Sequence, residues 1–151
     1  MTDLAFRPLP ATLPDLDRLS SAVVRHAVVD RPDAYPCRRC LRDAEPGERI
    51  VLISYDPFTG DSPYRQPGPI YLHEQPCAPR DADLETAPGQ LRRRQLSVRL
   101  FDARHLMLEA QVIDGAEVEQ VAVAMLDRHD AAYLHVHNAA PGCFAVRIDR
   151  R

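Results

Sequence analysis

Apolar and polar residues follow two different periods in the C-terminal half of the chain. Leu96, Val98 and Leu100 alternate with Ser97 and Arg99, the period of two that marks a strand. A turn at 102–104 leads to a second strand with Leu106, Leu108, Ala110 and Val112 on one face. Asp114, with Glu117 three residues on, has the capping-box pattern of a helix start. Val118, Val121, Ala122, Met125 and Leu126 then recur at three- and four-residue steps, the apolar stripe of that helix. Strands at 132–137 and 143–149, joined by the turn NAAPG, complete a ββαββ order. Such an order predicts a mostly antiparallel sheet with a helix on one face, an α+β protein.

The first half is less regular. Residues 4–9 predict a short edge strand ended by Pro10. Leu13, Leu16, Leu19, Val23 and Ala27 form a helical stripe, with Pro14 and Asp15 suited to its first turn. The run IVLISY within 49–55 predicts a strand, and 70–72 a shorter one that delivers His73. Between them, Pro57, Gly60, Pro63, Pro67, Gly68 and Pro69 remove any periodicity from 56–69, and a loop of that length is expected to be functional or mobile. Residues 78–91 read as another exposed connection. No internal repeat interrupts the chain, and its 151 residues suit a single domain, 1–151.

Composition narrows the class of partner. A net charge of −3 gives no global attraction to nucleic acid or to an anionic membrane, so neither is expected as a partner; an unidentified small molecule or protein is. All nineteen basic residues are arginine, suited to bidentate carboxylate and phosphate contacts and also produced by a GC-rich genome. The N-terminus lacks the basic start and apolar run of a signal peptide, and no apolar window approaches the ~20 residues of a membrane helix. These features predict a cytoplasmic protein. Cysteines there stay reduced, which favours metal or redox roles over structural disulfides.

Three of the four cysteines and one histidine lie in one stretch, PCRRC…YLHEQPC. Cys37 and Cys40 form C-x₂-C; after thirty-two residues, His73 and Cys77 form H-x₃-C. Four such ligand types in two close pairs predict a Zn²⁺ site, and with every position filled by protein the role is structural. The order of knuckle, hairpin, then paired His and Cys is similar to a treble-clef zinc finger. The gap is long for that class, and H-x₃-C replaces the commoner H-x₂-C. Unligated thiols in apolar niches are the plain alternative. A redox C-x-x-C opens a helix, whereas Leu41, Arg42 and Asp43 lead here to a turn.

Two further groups carry candidate chemistry. Arg92, Arg93 and Arg94 could grip a phosphate or carboxylate, or be a solvated charge run. Arg38, Arg39, Arg42 and Arg49 crowd the knuckle among Asp43, Glu45 and Glu48. In the last hairpin, closure around Ala140 would set His137 opposite Cys143 and His135 opposite Ala145. Tyr133, His135, His137, Cys143 and Arg147 would then share one face, with Leu134, Val136, Phe144, Val146 and Ile148 on the core face. That arrangement makes Cys143 a candidate nucleophile and His137 and His135 candidate catalytic groups; the plain alternative is an ordinary solvent face. His26, His105 and His129 read as isolated surface histidines.

The stretches PCRRCLRDAEPGERIVLISY, SPYRQPGPIYLHE, LSVRLFDA and YLHVHNAAPGCFAVRIDR together resemble a bacterial family catalogued as domain of unknown function 1203. The resemblance runs from Arg31 onward, and HVHNAAPGC is its most specific part. It implies no activity. It does imply that some members lack the residues at Cys40 and His73, so that a metal would belong to a subset and not to the family's shared function. The two expected uses are therefore a zinc-stabilised ligand- or partner-binding module and, as the alternative, an enzyme built on Cys143 and His137.

Overall fold

The computed structural model describes residues 2–9, 23–79 and 84–151. Two antiparallel sheets and one helix make three layers. Strands β1 (Leu4–Arg7), β5 (Gln95–Phe101), β6 (Met107–Asp114), β7 (Tyr133–Asn138) and β8 (Phe144–Arg150) form a five-stranded sheet in the order β1-β8-β7-β5-β6. Strands β2 (Val23–Val28), β3 (Arg49–Tyr55) and β4 (Gly68–His73) form the second sheet. The described residues hold two α-helices, α1 (Gly89–Arg92) and α2 (Val118–Leu126). The α+β class and mostly antiparallel pairing expected from the periodicity are both present.

Helix α2 and one face of the large sheet make the main core. Leu96, Val98, Leu100, Leu134, Val136, Val146 and Ile148 pack there with Val118, Ala122, Met125 and Leu126. Removing this apolar surface from water is what holds the sheet and helix together. The Asp114 side chain accepts from the Ala116 N–H, capping a 3₁₀ turn at Gly115–Glu117 that leads into α2. On the opposite face, Phe144 reaches a second apolar cluster with Leu9, Val51, Ile53, Ile70 and Leu72. The small sheet therefore covers part of the large sheet's other side.

Four expectations change. The helical stripe ending at Val23 and Ala27 is not helix at its end: Val23–Val28 is strand β2, paired antiparallel with β3 from Val23↔Ile53 to Val28↔Arg49. Its run of valines finds a strand partner, and that tertiary pairing outweighs the helical spacing. Leu13, Leu16 and Leu19 lie outside the described residues. In β6 the apolar face is largely uncovered, with Val112 63% exposed and Ile113 supplying the buried contact. β6 is an edge strand, so only one neighbour shelters it. The connection at 78–91 is not wholly exposed, because Ala87 and Leu91 enter the main core.

The fourth change concerns register. β7 and β8 pair as Leu134↔Ile148, His135↔Arg147, Val136↔Val146 and then His137↔Phe144, with a bulge after Val136. The bulge absorbs one residue, Ala145, which turns into the main core. Phe144 thereby moves to the histidine face, and Cys143 is not opposite His137. The closing turn is as expected, with Gly142 at φ +81° and its N–H donating to the Asn138 carbonyl at 2.8 Å.

Candidate functional site

Strand and turn deliver four ligand-type side chains to one point. Cys37 and Cys40 flank a tight turn in which the Leu41 N–H donates to the Cys37 carbonyl at 3.1 Å and Leu41 takes φ +59°. The β3–β4 hairpin follows, and β4 ends at His73. A parallel bridge between Cys37 and Tyr71 seats the knuckle against that strand. The ligand atoms of Cys37, Cys40, His73 and Cys77 lie within 4.8 Å of one another.

The separations test whether a metal fits. Zn–S bonds near ~2.3 Å and a Zn–N bond near ~2.0 Å require tetrahedron edges of about 3.8 Å between sulfurs and about 3.5 Å from sulfur to nitrogen. Cys37 Sγ is 3.6 Å from Cys77 Sγ, and Cys40 Sγ is 3.5 Å from His73 Nδ1. This cluster could hold a metal ion. The other ring nitrogen of His73, Nε2, lies 3.3 Å from a Glu48 carboxylate oxygen but without hydrogen-bond alignment; a carboxylate in that place commonly orients a metal-bound imidazole. The His73 N–H also points at Cys37 Sγ, at 3.4 Å.

Crowding of these groups moves their protons. Hydrogen bonds from Cys40 and Cys77 push the Cys37 thiol down, and the bond to Cys37 pushes Cys77 up. His73 is raised to about 10, first by Cys37 and then by Cys40. A cation in the middle would take over the role of those shared protons.

Arginines wrap the knuckle. Arg38 and Arg39 are 1% exposed. Arg38 Nε donates to the Phe144 carbonyl at 2.7 Å, Nη1 to the Pro36 carbonyl at 2.5 Å, and Nη2 to Cys143 Sγ at 3.2 Å. Burial pushes the Arg38 guanidinium below its ordinary value. Arg39 donates to the carbonyls of His73 and Gln75. The Arg92–Arg94 run does grip a carboxylate, one from its own chain: Arg93 and Arg94 both pair with Asp43, and Arg92 pairs with Glu119.

The histidine face of β7 is buried. His135 is fully enclosed, packed against Phe58, Phe101, Tyr133 and Phe144 with ring centroids 4.8–5.3 Å away. Neither of its ring nitrogens has a hydrogen-bond partner among the described residues. Burial lowers its pKa to about 3. His137 lies at the rim, its pKa lowered to about 4, chiefly by burial. Its Nδ1 is 2.9 Å from the Gly142 carbonyl, which can only accept, so Nδ1 carries the proton. Nε2 is then the acceptor that faces Arg99 Nη1 at 3.5 Å. Of the other histidines, His105 binds the Tyr133 hydroxyl at 2.7 Å and His26 pairs with Glu74 at 3.3 Å, so neither is isolated.

Between the large sheet, the hairpin and residues 56–69 lies a cleft of about 650 Å³. Phe58, Tyr64, Phe101, Arg99, His137 and Cys143 are among the side chains that line it. The proline-rich segment is tied down despite its lack of period. Phe58 meets Phe101 at 5.1 Å, Tyr64 meets Phe101 at 5.9 Å, and Arg65 pairs with Asp56 at 2.5 Å. A smaller cavity of about 400 Å³, lined by Arg38, Asn138 and Cys143, lies beyond the thiol.

Sequence reasoning placed the four ligand-type residues and missed Arg99 and the aromatic lining. The period-two pattern did set Arg99 apart from the core residues. What it lacked was the neighbour: Arg99 pairs with His135 only because β7 lies beside β5.

The fold and site define a three-layer α+β protein with a Cys₃His cluster at one end of the small sheet and a partly aromatic cleft at the other. The chain belongs to the family described as protein of unknown function DUF1203, whose model matches residues 34–150. Neither a curated protein nor a solved structure matches it. No helix among the described residues is long and apolar enough to cross a membrane.

Proposed function

We propose that this protein is a ligand-binding module whose knuckle is held by one structural Zn²⁺ on Cys37, Cys40, His73 and Cys77. The carrying observation is the edge lengths of 3.6 Å and 3.5 Å within a closed set of four protein ligands. A closed set leaves no position for substrate, which assigns the metal to folding and the binding to the cleft. Cytoplasmic conditions would keep the thiols reduced for the metal. The cleft's size falls in the ~300–1,000 Å³ range of small-molecule sites. Elemental analysis of protein purified without a His-tag or added metal tests the reading. One zinc per chain is expected, and well under one overturns the structural-zinc assignment.

The alternative is an enzyme with Cys143 as nucleophile and His137 as base, with His135 beneath. In its favour, the thiol lines the cleft. Against it, both His137 nitrogens already have partners, and the groups at the sulfur are Arg38 and Asn138. Iodoacetamide alkylation of wild type and His137→Ala separates the two. Slower alkylation in the variant supports the enzyme; equal rates remove His137 as the base.

A further inference from the structure

The charge on the cleft wall is one-sided. Arg65, Arg99 and His137 line it, and no aspartate or glutamate among the described residues does. Arg65 is neutralised by Asp56, and His137 is uncharged near neutral pH, its pKa lying at about 4. The remaining charge belongs to Arg99, which rises half-buried from the middle of β5. Its Nε donates to Ser97 Oγ at 3.2 Å and its Nη1 to His137 Nε2. No carboxylate among the described residues pairs with it. The other three N–H groups of the guanidinium fork have no partner among those residues.

A half-buried guanidinium without a counter-ion is costly to hold, and burial alone pushes its pKa down. Its planar fork matches two oxygens of one anion. Beside it stand the faces and edges of Phe58, Tyr64, Phe101 and Phe144. Aromatic walls of this kind take a flat apolar body by stacking or edge contact. A cationic ligand finds no acid among the described residues of this wall.

We infer that the cleft binds a small organic anion with a flat apolar body, its carboxylate or phosphate received by the Arg99 fork beside His137 and its ring held among Phe58, Tyr64 and Phe101. The inference rests on the reading of the chain as a binding module and adds the class of ligand. Ser97 and His137 act as positioning residues, since each accepts one Arg99 N–H and so aims the rest of the fork into the cleft.

Calorimetric titration of the zinc-loaded protein with β-naphthoate, β-naphthyl phosphate and the uncharged β-naphthamide tests it. At least one anion should bind about tenfold or more tighter than the amide, the scale of a charge-assisted hydrogen bond. The tighter of the two identifies the head group. Arg99→Gln should bring that anion down to the amide's affinity, with zinc content unchanged. Equal affinity for anion and amide in wild type, which needs no variant, overturns the anion assignment while the binding module stands. So does a preference that survives in Arg99→Gln. No binding of any of the three at millimolar concentration overturns both.

Discussion

His135 shows how one side chain can tie stability to pH. It is enclosed by four aromatic rings, with neither nitrogen partnered among the described residues and its pKa lowered to about 3. An unfolded histidine titrates near ~6.5, so below that pH the unfolded chain binds a proton that the folded chain refuses. The stabilisation is full above about pH 6.5 and falls on acidification, by up to about 1.4 kcal/mol per pH unit for each such group. His137 adds a second such term down to about 4. Urea unfolding between about pH 7 and pH 5 should show this loss, and His135→Phe should show a shallower one. Both proteins keep the Cys₃His cluster, so acid release of an ion bound there would cancel in the comparison. Identical slopes would mean that His135 is solvated in the folded chain.

At the scale of elements, two contacts decide how the pieces sit. Gly115 lies so close under α1 that a Cβ added there would stand 1.8 Å from the Leu91 carbonyl oxygen. The Gly115 N–H also donates to the Arg94 carbonyl at 2.8 Å. Gly115→Ala must therefore push α1 off the start of α2, and a loss above about 2 kcal/mol is expected in chemical denaturation. The segment 56–69 is the second case. Its composition gives no periodic apolar face, yet Phe58 and Tyr64 pin it to Phe101. Phe58→Ala should cost about 1–3 kcal/mol and open the segment to limited proteolysis. Equal cutting of wild type and variant there would show that the aromatic anchor does not hold it.

At the scale of the molecule, the two larger of the three apolar clusters among the described residues differ in kind. The large sheet with α2 buries a continuous apolar cluster. The small sheet has a smaller one, into which Cys37 and Cys40 themselves are counted. Metal removal should therefore act on one side. Chelation, or Cys37→Ala, is expected to lower the midpoint of thermal unfolding and to speed amide exchange in β3 and β4 while β5, β7 and α2 stay protected. Uniform loss of protection would instead mean that the two sheets unfold as one unit.

Local pattern alone determined much of this protein. Periods of two and of about 3.6 residues placed β5, β7, β8 and α2, because each has a fully buried face that its own spacing must match. The Cys₃His cluster was legible because C-x₂-C and H-x₃-C are short-range facts: a short span brings both members of each pair together whatever the rest of the chain does. Tertiary structure decided what spacing cannot carry. Val23–Val28 became strand because β3 offered it a partner. The bulge after Val136 put Phe144, not Cys143, opposite His137, and one residue absorbed in a ladder reverses every facing beyond it. Arg99 became a cleft residue because β5 and β7 are neighbours and 56–69 folds over both, a matter of topology between stretches far apart in the chain.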